Sequence, residues 1–368
     1  MAINDFKAGG NAYINEKIAA AIKNESRTAT ITGFWDITEP VRLPSNFTIV
    51  LENCYLRVAT GHFTNIFVNE SFNTEKGRTP AGVDKNISIK GKGFAILDGN
   101  EDFNGLSERT QKKNGFPEVY KNNLILFTNV EGFYVSNIEC RNQGWWAMNF
   151  YYSSYGYVGN IHFAANDTRI DENGKRHKGL IFEDYESTLV KNADGINLRV
   201  GCHNVVIENI TGFTEDDTVA LTAVPDEYFE KEFGSDEMPV DIYNVEIKNI
   251  RASSYCSIIR ILNQGGTKIH DVLIENIYDT SDECPSLNHG CNVIKIGDLH
   301  PYAERHANDD ETYNIKVKNL YACGVNALKL TGGMSNLILE GIECKEGTKM
   351  FQDDRGKPLG EKKNAKLG

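Results

Sequence analysis

One phrase recurs along this chain from residue 86 onward: a polar residue, an alternating aliphatic run, then Asn or Gly followed by Ile or Leu. It reads NISIKGKG at 86–93, FYVSNI at 133–138, YVGNI at 157–161, NVVIENI at 204–210, NVEIKNI at 244–250, DVLIENI at 271–277, NIKVKNL at 314–320 and NLILEGI at 336–342. The Asn or Gly before the last aliphatic falls at 137, 160, 209, 249, 276, 319 and 341, in steps of 23, 49, 40, 27, 43 and 22. These steps are one coil of 22 to 27 residues, or about two coils with insertions, and a period of that size marks a repeat architecture. Apolar residues alternate at period two and β-branched residues dominate, so the repeating unit is a strand. The expected fold is all-β: a single-stranded right-handed parallel β-helix, with coils stacked about 4.8 Å apart. A β-sandwich would require the similarity between strands to be accidental. Equivalent positions should form ladders along the solenoid, and Asn209, Asn249, Asn276 and Asn319 are expected as an inward amide ladder at a turn.

Residues 12–24 carry the apolar run IAAAI between charged flanks and read as a short helix capping the open N-terminal end of the stack. One β-helix domain is expected over 1–350, followed by a flexible tail, 351–368, with little to bury. A formal net charge of −12 argues against a nucleic acid partner, which calls for a basic face. No stretch has the roughly 18 apolar residues of a membrane span. IAAAI lies too close to charge to be a signal sequence, which points to the cytoplasm for the chain as written, or to secretion or the periplasm if a leader has been removed. The 8 cysteines lack zinc spacing, so no metal or cofactor is implied and most should be reduced core thiols.

A second phrase follows the first in the later coils. Its strands are 196–200, 219–222, 259–261, 294–296 and 328–330, whose aliphatics should point inward. Asn197, Ala220, Arg260, Lys295 and Lys329 then point out along one face. In this register Asp194 lies level with Asp217, 22 residues after Asp194 comes Asp216, and Arg260 and Lys295 follow one and two coils on. Three carboxylates bordered by two cations suit glycosidic hydrolysis, in which a protonated acid serves the leaving oxygen and an ionised base activates water. Crowding should raise at least one carboxyl pKa. Arg260 and Lys295 offer complementary charge to an acidic sugar. Asp-Asp also occurs at 309–310 and 353–354, where it reads as solvated loop.

Asn192-Ala193-Asp194-Gly195 and Asp216-Asp217 resemble the NTDG and DD motifs of the polygalacturonase family, the family 28 glycoside hydrolases of the pectin lyase-like superfamily. LPSNFTIVLE at 43–52, ISIKGKGFAILDGN at 87–100 and LFTNVEGFYVSNIECRNQGWWAMNF at 126–150 are similar to its lead-in coils. The resemblance implies a right-handed parallel β-helix and inverting, single-displacement hydrolysis. It makes Asp217 the general acid, with Asp194 and Asp216 positioning and deprotonating water. The family's GHG histidine would fall at Tyr255-Cys256-Ser257, where this chain has none. Its RIK motif looks like Val293-Ile294-Lys295, which keeps the Lys without the Arg; Arg260 is placed to supply that charge.

Insertions at about 164–191, 223–241, 278–291 and 298–312 should stack as walls beside one face. Their Phe182, Tyr185, Tyr228, Phe229, Phe233 and Tyr302, with Trp145 and Trp146 from an earlier coil, are candidates to stack on sugar rings. The expected substrate contacts are Asn192, Tyr185, Trp146, Arg260 and Lys295, and the expected partner is an acidic or pectin-derived oligo- or polysaccharide. Two other readings use the same fold: a polysaccharide lyase whose acids hold calcium, and a non-catalytic, tailspike-like carbohydrate-binding protein.

Overall fold

The computed structural model describes residues 6–357, apart from 107, 116–120, 166–167, 172, 179–190, 192, 225–231 and 284–291. Apart from an antiparallel pair, Thr168–Ile170 with Arg176–Lys178, its strands form two 10-stranded sheets in which each strand pairs in parallel with the equivalent strand of the next coil. One sheet is built of long strands such as His203–Thr214 and Ile242–Ser254, the other of short ones such as Asp194–Leu198 and Val219–Ala223. Crossovers between parallel strands are right-handed. The chain is therefore the expected right-handed parallel β-helix.

The periodicity produces this fold because each short strand contributes its aliphatics to a continuous interior stack. Ile196, Val219, Ile259, Ile294 and Leu328 lie in direct register and are all buried. A one-residue slip would turn these aliphatics outward and the polar set inward, which fixes the register of the outward face as well. In an earlier coil Phe133 stacks on Phe150, with centroids 4.5 Å apart.

The amide ladder exists, but it lies outside the solenoid. Asn209, Asn249, Asn276 and Asn319 are exposed, each within a long strand. Each adopts a left-handed conformation, with φ of 56°, 54°, 58° and 53°. Asn is among the few residues that visit this region cheaply, and one such residue bends the strand while both sides keep pairing. Its side chain donates to the Asn one coil below, at 3.1 Å for Asn209 to Asn160, 3.2 Å for Asn249 to Asn209, and 3.0 Å for both Asn276 and Asn319. The interior at the bend is filled by the Ile or Leu that follows, so the amides face water.

The helix Gly10–Lys23 buries Ile14, Ile18 and Ala21 against the first coil, and Tyr13 stacks on Trp35 at 4.3 Å. It starts two residues before the expected boundary, and among the described residues no helix is long and apolar enough to cross a membrane. At the opposite end the chain keeps pairing past residue 350. Lys349–Asp353 extends the short-strand sheet beside Asn326–Leu330, which brings Phe351, Asp353 and Asp354 into the fold. Asp354 is buried and accepts from Lys357 Nζ at 2.8 Å, so the second Asp-Asp pair is not a solvated loop. This last coil lacks a cover among the described residues, and Met350 and Phe351 are 54% and 43% exposed. Cys54, Cys140, Cys202 and Cys256 are buried thiols outside any disulfide, as expected of core cysteines.

Candidate active site

The short-strand sheet carries the acids. The amide of Gly195 donates to the Asp217 carbonyl at 2.9 Å and that of Ile196 to Thr218 at 2.9 Å, so Asp194 and Asp217 stand level on adjacent coils. The register continues from Asn197 to Ala220, Arg260, Lys295 and Lys329, as the alternation required.

Backbone contacts fix the Asp216–Asp217 turn. The Asp216 carbonyl accepts from Thr214 Oγ1 at 2.8 Å and Ser254 Oγ at 2.7 Å, and Asp216 Oδ1 accepts the Asp217 amide at 3.0 Å. The fully buried Glu215 accepts from the Lys191 amide at 3.0 Å and the Ala193 amide at 3.1 Å. It thereby ties the approach to Asp194 to the neighbouring coil. Glu215 gives no sequence signal beyond lying next to the Asp pair.

Asp194 is 5% exposed, and its Oδ2 accepts from Asn197 Nδ2 at 3.0 Å. Among the described residues, its Oδ1 and the Oδ1 of Asp217 are buried atoms without a hydrogen-bond partner. Burial, and next the charges of Asp216 and Asp217, push the Asp194 pKa well above the usual carboxylate range. Burial also raises Asp217, opposed by Arg260, a Ser257 hydrogen bond, Lys295 and a Cys256 hydrogen bond. Cys256 and Ser257, in the segment where the resemblance looks for its histidine, thus engage Asp217 directly. Asp216, Asp217 and Cys256 bring one donor atom each within 4.8 Å of one another. Two carboxylates and a thiol form a donor set that suits zinc better than calcium.

Arg260 and Lys295 lie beside Asp217, but they share a partner that the repeat pattern did not mark. Asp298 Oδ2 accepts from Arg260 Nη2 and, at 3.0 Å, from Lys295 Nζ. Asp298 follows the Lys295 strand at its first turn, a position outside the aliphatic register.

Trp146 pairs in register with Asp194 one coil earlier, and the Arg199 guanidinium lies over its ring at 4.3 Å. Trp146 is buried, so it forms a wall of the site rather than the open stacking surface expected. Trp145 is also buried, donating to Gln111 Oε1 at 2.9 Å, and Phe233 packs against Phe72 and Tyr151. Tyr302 alone of the described aromatics in this set is exposed. Asn192, Tyr185, Phe182, Tyr228 and Phe229 lie outside the described residues.

Fold and site together define a parallel β-helix with a buried acid cluster on its short-strand face. No protein-family model matches the chain, and no curated protein matches its sequence. Solved structures do match. The endo-xylogalacturonan hydrolase of Aspergillus tubingensis superposes with a TM-score of 0.55 at 12% identity, covering 98% of this chain and 96% of that one. A galactose-4-sulfate/3,6-anhydrogalactose-2-sulfate galactohydrolase gives 0.59 at 14% identity, covering 95% and 89%. A tailspike protein mutant of E. coli bacteriophage HK620, in complex with pentasaccharide, gives 0.55 at 13% identity, covering 95% of this chain and 62% of that one. At such identities the likeness establishes the fold alone, the parallel β-helix that the resemblance implied.

Proposed function

We propose that the chain is a glycoside hydrolase that cleaves a poly- or oligosaccharide at Asp194, Asp216 and Asp217. The observation that carries the proposal is the cluster itself: carboxyls on adjacent coils, two oxygens without a partner among the described residues, and pKa values raised by burial. Groups coupled this closely titrate as a unit, so the cluster retains a proton into the pH range where isolated carboxylates have lost theirs. Asp217 is the more exposed of the level pair, so a leaving oxygen reaches it first, which favours it as general acid. Asp194 and Asp216 then bind and deprotonate the water.

Inversion is part of the proposal, and one measurement bears on it directly. Proton NMR of the first-formed anomer separates inversion from retention.

The site is tested by screening reducing-sugar release over plant and microbial glycans with wild type and Asp194→Asn, Asp216→Asn and Asp217→Asn. Wild-type turnover in all three variants would sink the proposal. Insensitivity to EDTA and a lack of unsaturated, ultraviolet-absorbing products separate hydrolysis from a calcium-dependent lyase. The tailspike likeness supports a second reading, glycan binding without turnover, which predicts binding that survives all three substitutions.

A further inference from the structure

We infer that Asp298 determines the charge of the sugar this site accepts: by holding Arg260 and Lys295 it makes the subsite beside Asp217 one for an uncharged sugar rather than a uronate. The inference rests on the reading of the site as a sugar site, and it changes the substrate class that the two cations alone suggest.

Both carboxylate oxygens of Asp298 are engaged. Oδ2 accepts from Arg260 and Lys295, and Oδ1 accepts the His300 amide at 3.0 Å. The Asp298 carbonyl accepts from Gln264 Nε2 at 3.2 Å, which anchors the turn. The three side chains are 4%, 16% and 16% exposed for Arg260, Lys295 and Asp298, so this is an internal cluster rather than a pair of cations open to solvent. Burial pushes the Asp298 carboxyl up, but Arg260 and Lys295 outweigh it and hold the group well below the ordinary carboxylate range. Asp298 is therefore held as the carboxylate that both cations engage.

A uronate approaching Asp217 has two options, both unfavourable. It can displace Asp298, leaving a partly buried carboxylate without its cationic partners, which is costly. It can instead add its charge to a patch where Asp298, together with the charge left on the partly protonated acid cluster, already offsets Arg260 and Lys295. Arg199 cannot serve it, being buried over the Trp146 ring on the Asp194 side. A sugar whose groups are hydroxyls or esters meets neither penalty.

The test is calorimetric titration of trigalacturonate and its fully methyl-esterified form into the full chain, wild type and Asp298→Asn. Wild type is expected to bind the acid no better than the ester. Asp298→Asn frees a charge-assisted site and should raise the acid-to-ester affinity ratio at least about tenfold. A wild-type preference for the acid of about tenfold or more overturns the inference, as does an unchanged ratio in the variant, absence of binding included. Circular dichroism reports whether the variant folds; if it does not, the wild-type ratio decides alone, with less than about tenfold preference supporting the inference. Binding is read without turnover, so loss of the hydrolase reading and loss of this one are distinguishable.

Discussion

Gly195 follows Asp194 on the strand that positions it, and its backbone lies outside the left-handed region. It is glycine for lack of space. A Cβ there would sit 2.4 Å from the Thr218 carbonyl oxygen and 2.9 Å from Phe163 Cε2. Ordinary contact begins at 3.4 Å, so Gly195→Ala must push the Asp194 strand away from the Thr218 coil by about 1 Å. Neither obstacle is a flexible chain end, because one is backbone and the other a buried ring. Overpacking of this kind costs about 1–3 kcal/mol. That lowers the melting midpoint by several degrees, at roughly 2 °C per kcal/mol in a large chain. The same displacement separates Asp194 from Asp217, and a 1 Å misplacement costs on the order of 100-fold in rate. Differential scanning calorimetry reads the first effect, and turnover on the glycan found by the screen reads the second. An unchanged midpoint with wild-type turnover would refute the argument that coil contact at Gly195 sets the acid geometry.

Asp194→Asn should stabilise the protein at neutral pH. The folded pKa of Asp194 is raised, so its contribution is fully present below the unfolded value of about 3.9 and is lost as pH rises through the folded value. The variant lacks that loss, and denaturant titrations at pH 4 and 7 should show the gap between variant and wild type widening toward pH 7; a variant less stable than wild type at pH 7 contradicts this. Asn249→Ala removes hydrogen bonds of 3.2 and 3.0 Å to its ladder neighbours and leaves, at a φ of 54°, a Cβ without the short polar side chain that eases the left-handed conformation for Asn. The expected cost is about 1–3 kcal/mol, and Asn249→Gly, free of that Cβ, should cost less in the same unfolding assay. Phe150→Ala removes a ring stacked on Phe133 at 4.5 Å and packed against Phe127, for about 3–5 kcal/mol; a loss under about 1 kcal/mol would show that the interior stack can collapse around the gap.

The sequence by itself determined the coil and the register. Alternation at period two leaves each short strand one way to bury its aliphatics, and that choice places Asp194 beside Asp217 and Arg260 beside Lys295 before any coordinates are known. Interior packing carries this information, and it repeats every coil. Features outside the repeat are decided by contacts between turns and across coils, which have no period. The amide ladder faces water because the bend itself is made by left-handed Asn while the following Ile or Leu fills the interior. Residues 349–353 form a strand because the coil below offers unpaired edge groups, although the sequence from 351 onward has little to bury. Trp146 is covered because Arg199 lies over it. Above all, Asp298 meets Arg260 and Lys295 because the turn after one strand folds back over two coils, so the charge offered to a sugar is set by a contact that no strand pattern encodes.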